Sequence, residues 1–184
     1  MTTTGPAAPR ARVVLVGPPG AGKSTVGREL ARQLGVDFLD TDDEIERQEG
    51  RSIPDIFIED GEPHFRELEH AAVVRALAEH DGVLALGGGA VENAGTRAAL
   101  RTAPVVYLDV SMAKALPRVG LSGARPLLVE SPRARWKALM DARRPLYEEV
   151  AGIVVNTDTE PVARVATLVA EALERGELRP RETP

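Results

Sequence analysis

The segment Gly17-Pro18-Pro19-Gly20-Ala21-Gly22-Lys23-Ser24 directly follows the apolar run Val13-Val14-Leu15-Val16 and leads into a helical pattern. It fills G-x-x-x-x-G-K-[ST] in the strand–turn–helix setting that gives the pattern its meaning. The glycines let the backbone curl until successive N–H groups face one anion. The helix that follows adds its N-terminal dipole at the same point. Lys23 offers a compact positive charge to the outer phosphates, and the Ser24 hydroxyl suits a Mg²⁺ ion. The reading is a nucleoside triphosphate site, which commits the chain to an α/β fold.

The rest of the chain alternates accordingly. Lys23–Leu34 reads as a helix with Val26, Leu30 and Leu34 on one face, stopped by Gly35. Residues 36–39 form a short strand ending at Asp40, and Thr41 with Glu44 matches a capping box for a helix over 41–48. Helical patterns follow at 53–59 and Glu62–Glu79, then a strand over 83–86 closed by Gly87-Gly88-Gly89. Further strands fall at 105–108 and 153–155. Helices fall at 97–101, at 113–118 (where Pro117 should distort or end the helix), at 133–143 and at the end, marked by Val162, Val165, Val169 and Leu173. Residues 119–132 lack a period and read as a loop. Apolar strands alternating with helices predict a parallel sheet in a three-layer α/β/α arrangement. Ligands of such sheets gather beyond the carboxyl ends of the strands, so the 17–24 turn, residues 40–42 and residues 87–89 should meet at one edge.

Length and composition bound the answer. A chain of 184 residues with 43% hydrophobic residues suits one domain, placed at 11–175, with tails at 1–10 and 176–184 expected to be disordered or flexible. A net charge of −5 without a basic tract argues against a nucleic-acid partner. No apolar run is long enough to span a bilayer, and residues 1–9 lack the apolar core of a leader, so no membrane partner is expected. With no cysteine there is neither disulfide nor thiolate metal site, which fits a cytoplasmic protein. A monomer is expected.

Asp40 and Asp42, near a bound triphosphate, suit two tasks: helping to hold Mg²⁺ and receiving a hydroxyl acceptor. The local alternative is that acidic residues simply favour a helix N-terminus. That dipole would also lower a carboxylate pKa, so orienting the hydroxyl would matter more than removing its proton. Residues 87–89 offer approachable backbone N–H groups, or merely a tight turn. Arg66 is spaced for helix-surface ion pairs with Glu62 and Glu69. Arg125 in the loop and the Arg143-Arg144 pair are either solvated cations or anion grips, and a loop that closes would exclude water from a phosphoryl transfer. His64, His70 and His80 lack metal-like spacing, and Trp136 is read as packing.

In this order the pieces GPPGAGKST, LDTD, SIPDIFIEDGEPHFRELE, LALGGGAV, RPLL and R-x-P-L-Y (Arg143 to Tyr147) resemble the shikimate kinase family over about residues 13–173. The resemblance implies a nucleoside-monophosphate-kinase-like P-loop fold with five parallel strands, a mobile lid at about 119–132 and an acceptor region at about 41–70. It implies transfer of the γ-phosphoryl group of MgATP to the 3-hydroxyl of shikimate, in the route to chorismate and the aromatic amino acids. Carried over, Gly20, Ala21, Gly22, Lys23, Ser24, Thr25, Arg118 and Arg125 would hold the nucleotide, and Ser24 and Asp40 the Mg²⁺. Asp42 would hold the acceptor hydroxyls and act as base, and Arg66 and Arg143 would grip the carboxylate beside the Gly88 backbone. Glu69 would support Arg66. Asp42, Lys23 and Arg125 make up the implied catalytic set. Arg118 follows Pro117, and Asp158 and Glu160 make the segment after Asn156 acidic where some relatives bring an arginine. The competing readings are another small-molecule kinase, such as a gluconate kinase, and a nucleotide-binding switch or silent module. No N-K-x-D guanine motif supports a GTPase switch.

Overall fold

Burial along the strands follows their place in the sheet. In the computed structural model, which describes residues 10–120 and 131–180, the strands are β1 (Val13–Val16), β2 (Asp37–Asp40), β3 (Gly82–Ala85), β4 (Val105–Asp109) and β5 (Ile153–Asn156). All are parallel, in the order β2-β3-β1-β4-β5. The three inner strands are almost entirely apolar and buried, because helices cover both of their faces. The edge strands, DFLD and IVVN, carry polar ends and stay partly exposed.

Helix α1 (Lys23–Leu34) packs along the sheet beside the final helix, α8 (Val162–Glu174). Helix α7 (Pro132–Val150) lies on β4, with α5 (Ala94–Leu100) between it and α4 (Glu62–Glu79). Helices α2 (Thr41–Glu49) and α3 (Ile53–Asp60) pack on α4 around a small separate core of Ile45, Ile56, Phe65 and Ala72, flanked by Ile53, Phe57 and Leu68. Helix α6 (Met112–Arg118) ends one residue after Pro117, as that proline predicts.

Four expectations need correction. The cap of α2 is Asp40 and not Thr41: Asp40 Oδ1 accepts from Asp42 N–H at 3.0 Å, while the Thr41 hydroxyl is drawn inward between Ala85 O and Gly87 N–H. Glu44 therefore pairs with Arg47 instead of closing a box. Helix α7 starts at Pro132, where no N–H is required, and runs through Pro145 to Val150, because Tyr147 and Val150 are buried on its inner face. The domain also continues past residue 175. Leu178 joins the main core, and the N–H groups of Glu177 and Leu178 bond to Ala172 O. Arg125, most of the expected lid, residues 1–9 and residues 181–184 lie outside the described residues.

Gly27, on α1, faces the Phe38 ring of β2 so closely that an added Cβ would collide with the ring edge. Gly27→Ala should therefore lower the melting temperature although alanine is the better helix former, with about 1–2 kcal/mol of overpacking outweighing the propensity gain. Thermal denaturation of Gly27→Ala and of Gly27→Ala with Phe38→Leu checks this, the second change restoring most of the loss.

Candidate active site

Three strand ends meet as the topology requires. After β1, Gly22 adopts φ 85° as the residue preceding α1, a conformation other residues resist, and it leaves the first N–H groups of the helix facing outward. Lys23 Nζ folds back and donates to Gly17 O at 2.8 Å and Pro18 O at 3.1 Å. Burial pulls its pKa down to about 8, against the opposing influence of Asp42 and Asp40. Ser24 Oγ donates to Asp40 Oδ2 at 2.5 Å, so the loop after β1 is bonded to the end of β2.

A cavity of about 410 Å³ opens over this loop, lined by Gly20, Lys23, Thr25, Arg118, Thr157 and Glu160 among others. Arg118 spans its mouth: Nη1 donates to Gly20 O at 3.0 Å and Nη2 to Thr157 O at 3.2 Å. The acidic segment after β5 is only partly directed there. Asp158 Oδ1 instead accepts from Ser111 N–H at 2.8 Å, at the start of α6.

The other side of the crevice is built around Asp42. Its Oδ1 is buried with no hydrogen-bond partner among the described residues. Burial, together with the charges of Asp40 and Glu69, raises its pKa to about 6, with Lys23 pulling the other way. The dipole-lowered carboxylate expected from the helix position is thus overturned. Desolvation outweighs the dipole and leaves Asp42 able to take a proton near neutral pH.

The glycine run fits closely against these groups. A Cβ at position 87 would stand 2.5 Å from Asp42 Oδ1 and 2.7 Å from Glu69 Oε1, and one at position 89 would strike the Arg66 guanidinium. Gly88 lies against Pro19, and its carbonyl accepts from the Tyr147 hydroxyl at 2.6 Å. Glu69, buried, accepts from Arg66 Nη1 at 2.7 Å. Arg143 Nε donates to Glu92 Oε1 at 2.6 Å, and Glu92 Oε2 lies 3.7 Å from Arg66 Nη2. One carboxylate therefore stands between the two arginines. Arg144 turns away to Asp109, 3.1 Å from its Oδ1.

The shikimate kinase family model matches residues 19–174. A shikimate kinase of Streptomyces avermitilis is 57% identical over 89% of this chain and 95% of its own length, and one of Thermobifida fusca is 55% identical over 89% and 95%. The chain belongs to the shikimate kinase family. Among solved structures, shikimate kinase from Acinetobacter baumannii in complex with shikimate superposes with a TM-score of 0.83 at 39% identity, covering 95% of this chain and 97% of that one. A gluconokinase from Sinorhizobium meliloti, at 18% identity and TM-score 0.52 over 91% and 94%, shares the fold alone. Family and fold make this shikimate kinase relative a phosphotransferase of the nucleoside-monophosphate-kinase-like P-loop type.

In this family member the crevice brings together Lys23, Ser24, Asp40, Asp42, Arg66, Gly88 and Arg143, and the adjoining cavity gathers Gly20, Ala21, Gly22, Thr25 and Arg118. Sequence reasoning passed over Glu92, read Thr41 only as a helix cap, and assigned no task to Tyr147. Tyr147 had a readable signal, since it follows Arg143 by one helical turn and so shares its face. Glu92 had none, because the 3₁₀ turn Ala90–Glu92 that aims it has no sequence period. Among the described residues, no helix is long and apolar enough to cross a membrane.

The raised pKa of Asp42 carries a stability cost. The folded protein holds the proton up to about pH 6, whereas the unfolded chain releases it near the ordinary value of 3.8. Stability from this group is complete below the unfolded value and is lost as pH rises through about 6. Asp42→Asn should therefore stabilise the metal-free protein at pH 8 by about 2–3 kcal/mol, the gain shrinking toward pH 4. Melting curves of both proteins in chelator across that range check the sign.

Proposed function

We propose that the chain transfers the γ-phosphoryl group of MgATP to the 3-hydroxyl of shikimate. The observation that carries this reading is Asp42 Oδ1, a buried acceptor left unpaired beside Lys23, in a crevice that also holds two arginines. Buried polar atoms are normally satisfied, so an unpaired one here suits a ligand hydroxyl.

Arg66 and Arg143 would grip the acceptor carboxylate through their planar, multiply donating guanidinium groups. The Gly88 backbone would lie along the ring, and the hydroxyl would donate to Asp42. As the hydroxyl oxygen bonds to the γ-phosphorus, its proton passes to Asp42 and the bond from γ-phosphorus to the bridging oxygen of ADP breaks. Lys23, released from the loop carbonyls, would meet the charge growing on the transferred group, with Arg125 joining it. Arg118 would hold the base side of the nucleotide over the cavity it borders. Most of the acceleration comes from positioning and charge neutralisation.

Ser24 Oγ and Asp40 Oδ2 fit a Mg²⁺ ion, because they are two adjacent hard oxygen donors at the phosphate loop. No set of three or more His, Cys, Asp or Glu side chains among the described residues is arranged to hold a metal. That suits a cation that takes most of its ligands from water and phosphate. When bound, it supplies charge neutralisation on the phosphoryl oxygens.

ADP release with MgATP is expected to rise with shikimate and not with gluconate, and a lack of stimulation by shikimate would overturn the reading. Asp42→Asn should reduce turnover by about 10²-fold or more while ATP binding by calorimetry stays near normal. Arg143→Ala should raise the KM for shikimate about 30- to 100-fold. Arg144→Ala, which loses only a surface pair with Asp109, should leave that KM within about twofold.

A further inference from the structure

The Glu92 carboxylate lies where both clamp arginines converge. Its Oε1 accepts from Arg143 Nε at 2.6 Å and its Oε2 stands 3.7 Å from Arg66 Nη2. The arginine side chains are well buried, at 14% and 22% exposed, while that of Glu92 is 39% exposed. Arg66 is also held by Glu69 at 2.7 Å and by Glu62 at 3.2 Å. Arg66 is thus fixed from behind by the buried Glu69, while Glu92, the carboxylate that faces both arginines, is far more exposed than Glu69 and free to turn.

Charge points the same way. The two guanidinium groups already face three carboxylates: Glu62, Glu69 and Glu92. An anionic acceptor that simply joined them would bring a fourth negative group into a half-buried cluster, where like charges repel strongly. An acceptor that exchanges with Glu92 leaves the cluster charge unaltered. The main chain permits the exchange. Glu92 N–H bonds to Gly89 O, and Arg97 Nη1 donates to Val91 O and Glu92 O, so the backbone stays anchored while the side chain turns. A cleft of about 370 Å³, lined by Glu62, Pro63, Arg66, Glu92 and Asn93, lies alongside to receive it.

The geometry points to Glu92 as an internal stand-in for the acceptor's carboxylate, one that occupies the clamp in the free protein and is displaced when acceptor binds. It thereby sets acceptor affinity and restricts the clamp to ligands that bring a carboxylate of their own. The inference rests on the proposed use of Arg66 and Arg143 as the acceptor grip. It differs from a strut role, in which Glu92 would aim Arg143 at the ligand and its loss would weaken binding.

Steady-state kinetics of the full chain separates these two roles. In Glu92→Gln, which keeps the size and removes the charge, the KM for shikimate should fall about three- to tenfold, a modest change because the pair is partly exposed. The kcat and the KM for ATP should each move by less than about twofold. Benzoate, a carboxylate without acceptor hydroxyls, should inhibit Glu92→Gln more tightly by a similar factor, and Glu92→Ala should follow the same direction. A KM for shikimate that rises or stays unchanged in Glu92→Gln overturns the stand-in. A wild-type protein that turns over no shikimate fails the acceptor assignment instead. Benzoate binding by calorimetry would then still read the exchange at the clamp, tighter binding to Glu92→Gln supporting it and equal or weaker binding overturning it.

Discussion

Asp40 divides its carboxylate between two tasks, one oxygen accepting from Ser24 Oγ in the phosphate loop and the other capping α2 through Asp42 N–H. Through that division the end of an edge strand sets the distance between the nucleotide side and the acceptor side. The strand is held in turn by its parallel register with β3, in which Asp40 pairs with Ala85 just before the glycine run begins. Thr41 adds a second tie between the same strand ends through Ala85 O and Gly87 N–H. A shift of β2 by one residue would turn Asp40 away and undo both ties.

The same crevice concentrates groups that the fold alone would not favour. Asp42 and Glu69 are held with raised pKa values mainly by burial, and Lys23 with a lowered one. Each makes the empty site less stable than an apolar filling would be. In the proposed reaction the pairing would serve a purpose: a carboxylate near neutral pKa would take the proton that leaves the acceptor hydroxyl, while a lysine of reduced pKa beside it would meet the charge of the arriving phosphoryl group. The glycines at 87 and 89 serve the same end by clearance, since a side chain there would occupy the space taken by Asp42, Glu69 and Arg66.

Much of this was legible from residue order because the informative signals were local. Apolar runs marked the strands, the glycine-lysine-serine spacing marked the phosphate loop, and the parallel-sheet rule joined segments that are far apart in the chain. Arg143 was separable from Arg144 because it keeps the one-residue gap before Pro145 in R-x-P-L-Y; the structure sends one to Glu92 and the other to Asp109. What escaped depended on tertiary context. The cap fell to Asp40 because the Thr41 hydroxyl had buried partners across the sheet. The pKa of Asp42 rose because desolvation, invisible in a single sequence, outweighed the dipole. Glu92 gained its place from a 3₁₀ turn with no periodic signature. Pro145 failed to end α7 because the apolar residues after it had a core to enter.

The apolar interior is divided into two. The main core spans the sheet, while Ile45, Ile56, Phe65 and Ala72 form a second one beneath α2 and α3. Helix α4 belongs to both, with Phe65 and Ala72 in the small cluster and Val73, Ala76 and Leu77 in the large one. Cooperative units of a protein open at free energies set by what each buries. The small cluster, with four buried members, is the weaker of the two. Amide protons of α2 and the first half of α4 should therefore exchange through smaller openings than those of β1 and β4. The half of the crevice that would admit and release the proposed acceptor would then loosen and re-form at a lower cost than opening the sheet and its phosphate loop.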